Sequence, residues 1–194
     1  MWKRKLIGAS IFILCAASLS VTAFASSDHY HSTGFGNSAK YLKYWKDSSI
    51  SSYGYTGYAD SAVSAWNNIS SNLAVSEVSS TPTYGGIVAY TGDSLTGLDV
   101  YGVVDYWTYG LFGWTQVNPD DQRDRARVRF DHANLGKLDS KGTTYAFSHE
   151  FGHAVGLKHN NSGVSSVMRD TSIVWEDNKP QQADKEHIKE KYGN

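Results

Sequence analysis

Polar and apolar positions sort the chain into short strands and three longer helical stretches. Tyr41–Trp45 predicts a first strand. From Tyr58 to Ile69 the apolar residues Ala62, Ala65, Trp66 and Ile69 recur at helical spacing, and Asp60 and Ser61 suit the first turn of that helix. Leu73–Val78 alternates as a strand does, and Ile87–Tyr90 predicts another short one. Between Thr91 and Asn118 the chain is aromatic and Gly-rich, which predicts loops and an edge strand. Arg125–Phe130 gives the clearest strand signal: Arg123, Arg125, Arg127 and Arg129 fall on one face, Ala126, Val128 and Phe130 on the other. Thr143–Val155 reads as a helix stopped by Gly156. A last helix, Gln181–Tyr192, follows Pro180 and ends at Gly193. No repeat or linker interrupts residues 41–194, so the pattern predicts a single α+β domain.

The N-terminus has a different character. Lys3, Arg4 and Lys5 precede an apolar run from Leu6 to Ala17, and Ala23-Phe24-Ala25 offers a small-x-small cleavage site. That order is the pattern of a secretory signal peptide over residues 1–25, so the expected location is extracellular. Residues 26–40, rich in Ser, Gly, Asn and His, are expected as a loose N-terminal arm. Removing residues 1–25 takes away three basic side chains and changes the net charge from −1 to −4. A mildly acidic exported chain is not expected to bind nucleic acid, and after cleavage no membrane segment is expected. The arginine stripe is expected to be a solvated strand face. The single cysteine, Cys15, lies in the signal segment, so the remainder has neither a disulfide nor a thiolate ligand.

Any metal must therefore be held by His, Asp or Glu, and residues 149–159 supply such a set: His-Glu-Phe-Gly-His-Ala-Val-Gly-Leu-Lys-His. Residues four apart on a helix share a face, so His149 and His153 aim two imidazoles at one point. Gly156 takes a positive φ cheaply, which lets the chain reverse and return His159 as a third nitrogen ligand. Three ligands leave a fourth position open for water, the mark of a catalytic rather than a structural zinc. Glu150 leans off the histidine face, where it reaches that water as a general base.

The eleven-residue run resembles the extended zinc motif of the metzincin metallopeptidases. Met168, in Ser165-Ser166-Val167-Met168, stands where that family has its Met-turn, at an interval most similar to the matrixin branch. Ala126–Asp131 and the Asp184…Ile188…Tyr192-Gly193 helix end resemble matrixin segments too. The resemblance implies a zincin-like twisted mixed β-sheet with an active-site helix and a C-terminal helix. It also implies His149, His153 and His159 as zinc ligands, Glu150 as the catalytic base, Met168 as the floor beneath one zinc ion, and a monomer acting on protein or peptide substrates. Many matrixins hold a second zinc with a His- and Asp-rich segment. Gly92–Asp105 contains no His, so no such site is expected. Asp93, Asp99 and Asp105 could serve a calcium ion, although turn and surface roles are the simpler expectation. There is no cysteine for a cysteine switch, and Asp28, His29 or His31 could reach the zinc only if the arm folded back. Arg169-Asp170 follows Met168, so no tyrosine is expected to assist the oxyanion, and Thr171–Trp175 is expected to border the pocket beyond the scissile bond. His132 and His187 are expected at the surface.

Two other readings compete with a secreted zinc endopeptidase. A zinc-holding binding protein without catalysis would present the aromatic loops between Thr91 and Trp114 to a partner. A carbohydrate-binding module would stack sugars on Tyr106, Trp107 and Trp114.

Overall fold

The computed structural model describes residues 27–93, 100–170 and 177–194. The expected signal segment with Cys15, together with Asp99 and Thr171–Trp175, lies outside the described residues. Six strands form one mixed sheet: β1 (Leu42–Lys46), β2 (Val75–Glu77), β3 (Gly86–Gly92), β4 (Gly102–Gly110), β5 (Gly113–Val117) and β6 (Arg125–Asp131). Their order across the sheet is β2-β1-β3-β6-β4-β5. The first four in that order run parallel, and β4 runs antiparallel to both β6 and β5. The helices are α1 (Ser48–Ser52), α2 (Thr56–Trp66), α3 (His132–Leu135), α4 (Ser140–Ala154) and α5 (Gln182–Tyr192). The architecture is α+β, as the pattern predicts.

Alternation along β6 sets the layering. Ala126, Val128 and Phe130 are fully buried beneath the helices. Phe130 stacks on Phe147 of α4 with centroids 3.8 Å apart, and Tyr44 of β1 meets Phe151 of α4 edge-on at 5.4 Å. Trp66 locks α2 to α4: it is buried, and its Nε1 donates to the Ser148 carbonyl at 2.8 Å. Gly152 is what permits this approach. A Cβ there would lie 2.2 Å from Met168 Sδ and 2.8 Å from the Trp66 ring. α4 starts three residues before the predicted Thr143 because the Asp139 carboxylate caps it, accepting from Gly142 N at 2.7 Å.

Several expectations need correction. Thr91–Asn118 is mostly regular sheet, since its aromatic residues suit strands and Gly110 and Gly113 pair to close a two-residue turn. Ile69 falls beyond α2, which ends at Trp66. Residues 27–41 are docked rather than loose: Tyr30 bridges Leu157, Gly34 bridges Gln122, and Phe35 and Ala39 are buried. The arm's partners lie far along the chain, where local periodicity carries no trace of them. Arg123 leaves the arginine stripe; it lies outside β6, buried over the Tyr106 ring at 4.0 Å. His132 accepts or donates at 2.8 Å with Tyr55 Oη, and His187 stacks on His29 at 4.5 Å, so neither is a free surface residue.

The outer face of the sheet has no helix over it among the described residues. Arg125 lies 3.8 Å over Trp114, and Arg127 lies 4.8 Å over Trp107. Arg127 and Arg129 both donate to Asp105, at 2.9 Å each to Oδ2. The stripe is thus a lattice of cation–π contacts and ion pairs rather than a row of solvated charges. Asp105, committed to two guanidiniums, is a poor calcium ligand.

Because Trp66 is the clamp between α2 and α4, Trp66→Ala is expected to cost about 3–5 kcal/mol in urea unfolding. A loss below about 1 kcal/mol would show that the two helices are held by other contacts.

Candidate metal centre

α4 carries His149 and His153 one turn apart on the face toward the cleft. After Ala154 the chain reverses at Gly156, whose φ of +103° is the left-handed value foreseen for this position. The reversal returns His159 to the other two. The three Nε2 atoms form a near-equilateral triangle: His149–His153 3.1 Å, His149–His159 3.2 Å and His153–His159 3.2 Å. These three residues form the one cluster of potential metal ligands found among the described residues.

The protons settle what these contacts are. His149 Nδ1 lies 2.8 Å from the Val167 carbonyl, and His153 Nδ1 lies 2.8 Å from the Leu157 carbonyl. A carbonyl only accepts, so both Nδ1 atoms carry the hydrogen and both Nε2 atoms present bare lone pairs. Burial holds both rings neutral, His149 near a pKa of about 4 and His153 well below the usual imidazole range. Burial lowers His159 as well. Converging lone pairs repel unless a cation lies between them. Zn–N bonds of ~2.0–2.1 Å at tetrahedral angles separate nitrogens by about 3.3 Å, so the triangle fits zinc.

Both accepting carbonyls are themselves fixed. Asp184, at the start of α5, is fully buried. It accepts from Ser166 Oγ at 2.5 Å, Val167 N at 2.9 Å and Gln181 N at 2.8 Å. Ser166 Oγ in turn accepts from Met168 N at 2.9 Å, and Asn160 N donates to the Met168 carbonyl at 2.7 Å. Sequence reasoning placed Asp184 only by its likeness to a helix end. Its spacing after Gln181, a capping box, was the signal for a buried anchor. The Leu157 turn is gripped by the N-terminal arm, where His31 N donates to the Gly156 carbonyl at 2.9 Å and Lys158 N to the His29 carbonyl at 2.8 Å. Neither His29 nor His31 joins the ligand triangle. His31 instead sits 3.4 Å from Asp120.

Met168 is buried under α4, against Gly152. Glu150 borders a cleft of about 750 Å³ that also takes in the three histidines and Val100–Val104. It makes no hydrogen bond or ion pair among the described residues, and burial alone pushes its carboxyl up to about 8. Gly102 of β4 lies directly against it: a Cβ there would sit 2.7 Å from Glu150 Cγ. Tyr106, by contrast, is buried with its hydroxyl on the His153 carbonyl at 3.1 Å. Trp107 and Trp114 each have a face covered by arginine. The three aromatics therefore do not form an open sugar-stacking platform.

No family model and no curated protein matches the chain. Among solved structures, a chain in the "GM1 bound form of the ECX AB5 holotoxin" aligns with a TM-score of 0.46 at 17% identity, over 76% of this chain and 78% of that one. A score that low leaves the geometry above to stand by itself.

The protonation pattern predicts how metal uptake responds to pH. At pH 7 the metal-free protein holds its histidines neutral and most of Glu150 protonated. A divalent cation favours the Glu150 carboxylate, so zinc uptake should release about one proton with little competition from imidazolium. Calorimetry in buffers of different ionisation enthalpy should show this release shrink in Glu150→Gln. An unchanged release would locate the proton on another group. Because the Glu150 proton must leave, zinc affinity should fall as pH drops below about 8, approaching about tenfold per pH unit, and fall more steeply below about pH 5, as His149 begins to protonate.

Proposed function

We propose that the protein is a secreted, zinc-dependent endopeptidase with a metzincin-like catalytic domain. The observation that carries the reading is the triangle of three Nε2 atoms, two of them fixed as bare lone pairs, beside a buried carboxyl with no partner among the described residues. Bound by His149, His153 and His159, a zinc ion supplies Lewis acidity, acidifying water from a pKa of ~15.7 toward ~7 and polarising a carbonyl oxygen.

The chain's own groups account for the remaining chemistry. Glu150 accepts the proton of the attacking water and returns it to the departing amine, since an uncommitted carboxylate with a raised pKa suits both halves of the transfer. The low-dielectric wall around Glu150 also strengthens its grip on the proton in flight. The β4 segment Gly102–Asp105 pairs with β6 on one side and has no strand on the β5 side among the described residues. An extended peptide can pair along that free edge, which runs past Glu150. Gly102 keeps the strand close to the carboxylate without displacing it.

Mere metal holding gives no work to Glu150. A buried carboxyl with no partner among the described residues costs stability, so its presence favours catalysis over the non-catalytic binding reading. The signal-like N-terminus supports export, and a zinc peptidase active on denatured protein suits an extracellular setting.

Glu150→Gln is expected to lower hydrolysis of a denatured protein substrate by at least ~10²-fold while the zinc content stays at one per chain. Activity surviving that change would overturn the mechanism. Gly102→Ala is expected to reduce kcat/KM about tenfold with zinc retained, because the new methyl displaces Glu150. Unaltered kinetics would show that the carboxylate has room to move.

A further inference from the structure

β4 and β5 form a hairpin that projects beyond the rest of the sheet's described pairing, and the composition of this hairpin is unusual. Residues 106–119 carry no charged side chain. Gly110 pairs with Gly113, leaving Leu111 and Phe112 as the turn, and Gly113 takes φ +97°, which suits glycine. Leu111 is 93% exposed and Phe112 98%. Two adjacent large apolar side chains held almost wholly in water at a hairpin tip are not a core residue's accident.

The positions behind the tip are layered. Tyr109 and Trp114 face each other one pair back from the glycines, 5.2 Å apart. Exposed Tyr84 meets Tyr109 edge-on at 5.3 Å, widening the pair into an aromatic collar. Arg125, opposite Trp107 in register, packs its guanidinium 3.8 Å over Trp114. With ~3.3 Å of strand per residue, the collar stands roughly 5 Å behind the tip, and the Arg125 backbone lies about 7 Å further back, from where its guanidinium reaches forward to the Trp114 ring. The nearest carboxylate, Asp124, is already used: it accepts from Thr108 Oγ1 at 2.9 Å and Tyr109 N at 2.8 Å.

We infer that this hairpin is a membrane-docking element that dips Leu111 and Phe112 into the surface of a bilayer bearing anionic headgroups. The sequence of layers matches that of a bilayer: apolar tip at the acyl boundary, then Tyr and Trp at the interface with the Arg125 cation stacked among them, at headgroup depth. Two side chains make a shallow, reversible anchor rather than a permanent one. The docking is independent of the peptidase reading and would set where any activity of the cleft is delivered.

The test uses residues 26–194, the chain left by the expected cleavage, which carries no cysteine, so that a single introduced cysteine can carry an environment-sensitive fluorophore. Placed by Leu111→Cys, the label is expected to shift to the blue on phosphatidylcholine–phosphatidylglycerol vesicles and to be quenched by acyl-chain spin labels. Placed by Asn37→Cys, in the N-terminal Gly36–Tyr41 segment, it should stay in water. Leu111→Ser with Phe112→Ser should lower vesicle partitioning at least tenfold, and Arg125→Gln should remove the preference for anionic over neutral vesicles. The inference is overturned if the label at 111 remains in water, whether or not the protein sediments with vesicles. It is equally overturned if the double variant changes only self-association or retention on insoluble polysaccharide, with no lipid response.

Discussion

Three imidazole nitrogens held within 3.2 Å of one another, two of them with lone pairs fixed inward, are the constraint around which the rest of the molecule is arranged. Left to themselves such groups would protonate or turn away. Burial denies the first escape, and the two Nδ1–carbonyl bonds deny the second. Each carbonyl is then traced to a different part of the chain: Val167 through Asp184 to α5, Leu157 through residues 29–31 to the N-terminal arm. The centre is local in sequence, yet its rigidity comes from both ends of the described chain.

That division explains what the sequence could and could not disclose. Helix periodicity, a turn glycine and four chemically distinctive residues fall within eleven positions, so the triangle and Glu150 could be placed by counting along a helix. The supports could not. The arm's pairing with Leu157 and Asp184's hold on Ser166 and Val167 join segments with no common local pattern. The β4–β5 hairpin escaped for another reason. Its glycines read as loop punctuation, whereas they close a tight turn between strands whose aromatic residues favour the sheet. Its lack of charge was visible along the sequence, but only exposure at the tip gives that lack a meaning.

The two faces of the sheet divide the labour. The inner face packs α4 against Phe130 and Tyr44 and so fixes the height of the ligands over the cleft. The outer face stiffens itself with stacked guanidiniums and aromatic rings in place of a covering helix. β4 belongs to both: Gly102 touches Glu150 at one end, and Gly110 leads into the exposed turn at the other. A rigid strand therefore joins the cleft to the hairpin tip.

The docked arm has a consequence for the order in which the molecule is made. Residues 29–31 are made more than a hundred residues before the segment they pair with, 156–158. Lys191, in the final helix, donates to the carbonyls of His31 and Thr33 and so closes the same junction. A growing chain, or one threading through a membrane N-terminus first, carries an arm with no partner and histidines with no fixed tautomer. Loop closure over that span comes late because its entropy must be met before the contacts are made. The ligand set thus becomes rigid only after every segment from residue 29 to residue 191 has been made.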